Sequence, residues 1–148
     1  MARQYFTVSE VDRLVPRLER IFVQVIQLRA AMHVEERKLE RAGVSLTAAT
    51  LQKDSSRDPG PIRQAKMMFR AYYETLSDSL SEVERLGGQV KDLDKGLVDF
   101  LARRGDEDVL LCWKLGERTV EHWHPVDSGY GGRKPIDDGI EREPPGLD

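Results

Sequence analysis

Apolar residues recur at intervals of three and four along Val11, Leu14, Leu18, Ile21, Val25, Leu28, Met32 and Leu39, with one acidic break at Glu35. Sustained for about four heptads, that spacing is a coiled-coil seam, and a strand cannot use it. Val15, Phe22 and Ile26 widen the stripe beyond what a two-stranded seam needs. A helix with so broad an apolar face must pack against more than one surface.

The ends of this helix are written in the sequence. Thr7 as N-cap and Glu10 three residues on form a capping box, and Phe6 with Val11 sits where a hydrophobic staple forms. Pro16 lacks the N–H that would bond to Asp12, so two outcomes fit: a kink in one helix, or, the preferred reading, a short helix near 8–14 followed by a long one with Pro16 at its first position. Gly43 stands where a terminator belongs. Residues 44–60 turn small and polar and read as a long mobile connection, with a helical turn around Thr47–Gln52. A second helix opens at Gly60-Pro61, carries Ile62, Ala65, Phe69, Tyr72, Leu76, Leu80 and Val83 at helical spacing, and closes at Leu86 before Gly87-Gly88. Two long helices joined by a loop make an antiparallel hairpin over 7–42 and 60–86.

After Gly88 the period shortens. Strands are expected at Gln89–Leu93, Leu97–Ala102, Val109–Leu115 and Thr119–His124, separated by Asp94-Lys95-Gly96, Arg104-Gly105-Asp106 and Gly116-Glu117. Strands so closely spaced form an antiparallel β-meander of three to four strands over 89–125, followed by a Gly-rich loop over 126–137. The whole is an α+β chain, read as a single domain over 1–137 with a disordered tail over 138–148.

Composition bounds the function. Residues 1–88 hold 14 Lys and Arg against 12 Asp and Glu, and residues 89–148 hold 9 against 14. Neither part carries the basic face of a nucleic-acid binder. No apolar run reaches membrane length, the N-terminus has no signal-peptide core, and lone Cys112 forms no internal disulfide. The expected compartment is the cytoplasm.

Polar residues able to do chemistry gather after Gly88. Asp99 interrupts the apolar run Leu97–Leu101, and His122 and His124, two apart on a strand, share a face. A metal reading takes His122 and His124 as ligands with Cys112 or Asp127 completing the set, but no further ligand cluster has metal spacing. An acid–base reading pairs His124 with Asp92, Asp99 or Asp127. Gly129–Lys134 lacks the Gly-Lys-Ser/Thr ending and the following helix of a phosphate loop, although Arg133 suits a carboxylate. No Gly-x-Ser-x-Gly elbow frames Ser128, so nucleophilic hydrolysis is disfavoured.

Tyr5-Phe6-Thr7 with Leu14-Val15-Pro16, then Val90–Phe100, Leu111–Glu117, and Trp123-His124 through Asp127–Tyr130 to Gly132–Ile136, resemble a small bacterial family catalogued as domain of unknown function 2203. The resemblance covers roughly 3–137 and implies no activity, because the family has none established. It implies motif roles for Asp92, Gly96, Asp99, Trp113, Gly116, Glu117, His124, Asp127, Gly129 and Arg133.

Two functional expectations follow. The first is a non-enzymatic hairpin that self-associates as a homodimer through Leu14, Leu18, Ile21, Phe22, Val25, Leu28 and Met32 and offers its sheet to a protein partner. The second is a small-ligand or metal site, possibly enzymatic in use, built from Asp92, Asp99, Glu117, His124, Asp127 and Arg133. Neither calls for a cofactor, nucleic acid or membrane.

Overall fold

The structure, a computed structural model, describes residues 4–144. A long helix α1 (Val8–Arg41) and a second, α3 (Gly60–Arg85), form the expected antiparallel hairpin, with a five-residue helix α2 (Ala48–Gln52) in the connection. A five-stranded antiparallel sheet follows, in the order β1 (Gln89–Asp92), β2 (Leu97–Arg104), β3 (Glu107–Lys114), β4 (His122–Pro125) and β5 (Lys134–Pro135). The fold is α+β, with one strand more than expected. The two-residue β5 contains Pro135 and is too short to leave a period in the sequence.

Pro16 does not split the first helix, which runs unbroken through it. The ring sits on the exposed side, while Val11, Val15, Leu18 and Phe22 on the other side are buried. Those side chains fix both halves to one surface, and that burial outweighs a single missing backbone bond. The capping box forms as expected: Thr7 N donates to Glu10 Oε1 at 2.9 Å. Both long helices stop in the same way. At Gly43 (φ +78°), Val44 N donates to Leu39 O, and at Gly87 (φ +100°), Gly88 N donates to Val83 O.

The chain divides into two compact units, Met1–Phe22 with Ser81–Asp148, and Val23–Leu80. In the first unit, strand alternation sends Val98, Phe100, Ala102, Val109, Leu111 and Trp113 to one face of the sheet, all of them buried. Phe22 from α1 meets Trp113 at 6.1 Å between ring centroids, and Phe6 meets Phe100 edge-on at 5.1 Å. Arg17 on α1 pairs with Glu82 on α3 at 2.7 Å. Residues 138–144, expected to be disordered, run as a strap: Ile140 is buried and bridges Arg104, and the carbonyls of Glu141 and Arg142 accept from Val8 N and Ser9 N. The strap therefore supplies acceptors that the first turn of α1 lacks. The rest of the expected tail, 145–148, lies outside the described residues.

In the second unit the two helices face each other, and Val25, Leu39, Ala65 and Leu76 are buried. The seam's acidic break is also buried, with Glu35 Oε1 accepting from Lys38 Nζ at 3.1 Å. The connection is tied to α3 by Lys66, which donates to Asp58 Oδ2 at 2.7 Å, and by Arg70, which donates to the Leu51 carbonyl. Of the residues expected at a dimer interface, Leu18, Ile21, Phe22 and Val25 are buried within the chain itself, and Leu14, Leu28 and Met32 are half-buried. The four buried ones spend their apolar surface within the protomer. Val23, Ile26 and Val34 of α1 and Met67 and Tyr73 of α3 are instead each at least 50% exposed.

Candidate functional site

The other face of the sheet carries polar groups. Asp99, Cys112 and His122 lie in one cross-strand row, and Leu110 pairs with His124 in the next. Period-two alternation puts them there because Asp99 sits between inward-facing Val98 and Phe100, and Cys112 between Leu111 and Trp113. His124 leans across to Asp99, with Nε2 to Oδ2 at 2.9 Å. Its other ring nitrogen, Nδ1, is 2.8 Å from the Pro125 carbonyl. A carbonyl only accepts, so Nδ1 carries a proton, and Nε2 is the nitrogen presented to the carboxylate.

Both partners are almost fully buried, at 3% exposure for His124 and 1% for Asp99. Burial of an ion pair costs several kcal/mol per charge unless every remaining lone pair is satisfied. Asp99 Oδ1 is not satisfied: it is buried with no hydrogen-bond partner. The pair forms part of the wall of a cavity of about 310 Å³, together with Lys91, Asp92, Lys95, Cys112, Ser128 and Tyr130. Burial first, and then the charge of Asp99, push the Cys112 thiol up from 9.0 to about 12. Left to itself, that sulfur is a thiol at neutral pH and not a nucleophile.

Beside the cavity lies a second group organised by Glu117. Its Oε1 accepts from Arg133 Nη2 at 2.8 Å and from Lys114 N at 2.7 Å, and its backbone carbonyl accepts from Trp113 Nε1. Arg133 also donates to the Cys112 carbonyl at 3.0 Å. His122 Nδ1 stands 3.3 Å from Glu117 Oε2. This cluster closes the Gly116–Glu121 turn and fastens the glycine-rich loop to β3. Glu117 Oε1 thus takes two donors, while His122 Nδ1 beside Oε2 is buried without a hydrogen-bond partner.

Of the residues expected at a site, Asp92, Asp99 and His124 do meet around one cavity. Glu117 and Arg133 adjoin it through Cys112. Asp127 is exposed and does not line it. The two histidines expected to share a metal belong to different groups: His124 turns to Asp99, and His122 to Glu117. Lys91 and Lys95 are cavity residues that the sequence reading passed over. Lys91 falls in the expected strand Gln89–Leu93 and Lys95 in the expected turn Asp94-Lys95-Gly96, and the flanking aspartates were the signal for them. Tyr130, at the mouth of the cavity, has Lys95 Nζ 4.7 Å, Lys114 Nζ 5.7 Å and Arg133 Cζ 5.1 Å from its ring centroid.

Among the described residues no helix is long and apolar enough to cross a membrane. No curated protein and no solved structure matches the chain. The sequence model of one family, an uncharacterized conserved protein family (DUF2203), matches residues 4–136, most of the chain, and the chain belongs to that family.

Proposed function

We propose that this protein binds a small anionic molecule in the cavity on the outer face of its sheet. The observation that carries the reading is the pair of cations Lys91 and Lys95 at a cavity whose wall also holds the buried Asp99–His124 pair. A fold gains little stability from such a pair, and similar-sized apolar residues serve a core at least as well. Lys91 and Lys95 at the same cavity, with Lys95 and Lys114 near the Tyr130 ring, supply positive charge for an anionic group beside the wall's Asp92 and Asp99. A thermal-shift screen of small carboxylates and phosphates tests this. Stabilisation of the wild type that disappears in Lys91→Ala and Lys95→Ala supports it, and a flat response across the screen removes it.

The second reading is self-association, now through different residues from those the seam pointed to. Val23, Ile26, Val34, Met67 and Tyr73 are the exposed large apolar side chains of the Val23–Leu80 unit. Under this reading, Ile26→Glu with Val34→Glu lowers the sedimentation mass, and Leu14→Glu does not. A wild type that sediments as a monomer at high concentration rules it out.

A further inference from the structure

We infer that Asp99, Cys112 and His124 form a site for one thiophilic divalent metal ion of the zinc type, with its fourth position open to the cavity. The proposal deepens the ligand reading above, because that open position is where an anionic group would coordinate. Asp99 Oδ, Cys112 Sγ and a His124 ring nitrogen lie within 4.8 Å of one another, and all three residues are buried. Carboxylate, sulfur and imidazole are the donor types such an ion takes, and three protein ligands with one vacancy is the pattern of a working rather than a structural site.

Two further observations point the same way. The first is the orientation of the imidazole. Nδ1 is committed to the Pro125 carbonyl, and a backbone carbonyl on the far nitrogen is the usual support for a metal-bound histidine. That leaves the Nε2 lone pair aimed at Asp99 Oδ2, 2.9 Å away. Two lone pairs at that distance require a cation between them, either a proton or a metal. The second is that Asp99 keeps one buried carboxylate oxygen, Oδ1, without a hydrogen-bond partner, in the same cluster as the Cys112 sulfur. Arg133 pairs with Glu117 at 2.8 Å, and its charge favours the thiolate of Cys112 that a metal needs.

Binding balances in protons. The ion displaces the thiol proton of Cys112 and the proton shared by Asp99 and His124, so the site exchanges protons for one divalent ion. The neighbouring group of Glu117, Glu121 and His122 has comparable spacing, but Glu117 Oε1 is already bonded to Arg133 and Lys114 N. It is not the site.

Cobalt(II) is the probe, added to the full chain after chelator treatment and removal of the chelator. The expected result is one equivalent bound, with a sulfur-to-cobalt charge-transfer band in the near ultraviolet. Cys112 is the chain's one cysteine, so Cys112→Ala must abolish the band. His124→Gln and Asp99→Asn should each weaken binding by more than tenfold, and zinc should displace the cobalt. Circular dichroism on each variant establishes that it is folded. A wild type showing no charge-transfer band at millimolar cobalt overturns the metal site, as does binding that Asp99→Asn and His124→Gln leave unchanged. Stabilisation of metal-free protein by a small anion, in the absence of any cobalt band, leaves the ligand reading standing and the metal refuted.

Discussion

The two compact units treat buried charge differently. In Val23–Leu80, Lys66 and Glu35 are buried and each finds a partner: Lys66 pairs with Asp58, which reaches solvent, and Glu35 with exposed Lys38. In the sheet unit, Asp99 and His124 are paired with each other, both shut off from solvent, and one oxygen is left over. Apolar surface shows the reverse. The sheet unit encloses Phe22, Phe100 and Trp113 completely, whereas the helical unit leaves Val23, Ile26, Val34, Met67 and Tyr73 in the open. The sheet unit is therefore closed in its core and unfinished in its polar chemistry. The helical unit is settled in its charges and unfinished in its packing. Each deficiency marks where a binding partner would act, a small ligand for the first and a second protein surface for the second.

Substitutions can break that comparison. Trp113→Ala empties a fully enclosed site and should cost about 3–5 kcal/mol in denaturant unfolding, whereas Tyr73→Ala should stay within about 0.5 kcal/mol. Equal effects would show that the helical surface is not open. The charges make a second pair. Asp99→Ala strands a buried imidazole and should cost about 3–5 kcal/mol, while Lys66→Met, next to a solvent-facing carboxylate, should change stability by no more than about 1 kcal/mol. Gly88→Ala sharpens the picture of a closed core: its Cβ would lie 2.6 Å from Val98 Cγ1 and 3.1 Å from Phe100 Cζ. The cost should be about 1–3 kcal/mol, with no change in self-association.

The smallest effect concerns the strap. Bonding to Arg104, then to the Gly139 amide, holds the Asp137 carboxyl below its usual 3.8. A depressed carboxyl contributes stability above its unfolded value and loses it as the pH falls through the folded one. The protection of the Val8 and Ser9 amides, which bond to the strap, should therefore fall selectively, relative to their intrinsic exchange rates, on acidification below that point. Asp137→Asn should remove the dependence.

The helices were legible because a three–four period, a capping box and terminal glycines act over a few residues. The same locality explains the error at Pro16. A proline's missing bond is visible in the sequence, but the burial of Val11, Val15, Leu18 and Phe22 that overrides it depends on a sheet formed by residues 80 positions later. The strap escaped notice because Ile140 is a lone apolar residue among glycines and charges. At the site, Asp99 and His124 stood out as polar residues inside apolar strands. The sequence could not show that His122 turns away to Glu117, since the period places both histidines on one face without fixing where each ring leans. Cys112 was visible as a candidate ligand, but only strand register shows that it lies opposite Asp99.

The central claim is that Asp99 and His124 are kept for binding and not for stability. Equilibrium unfolding of the metal-free double variant Asp99→Val/His124→Leu, set against the metal-free wild type, tests it most directly. An unfolding free energy equal to or above that of the wild type is the predicted result. A double variant several kcal/mol less stable would mean that the pair holds the sheet together, and would contradict the claim.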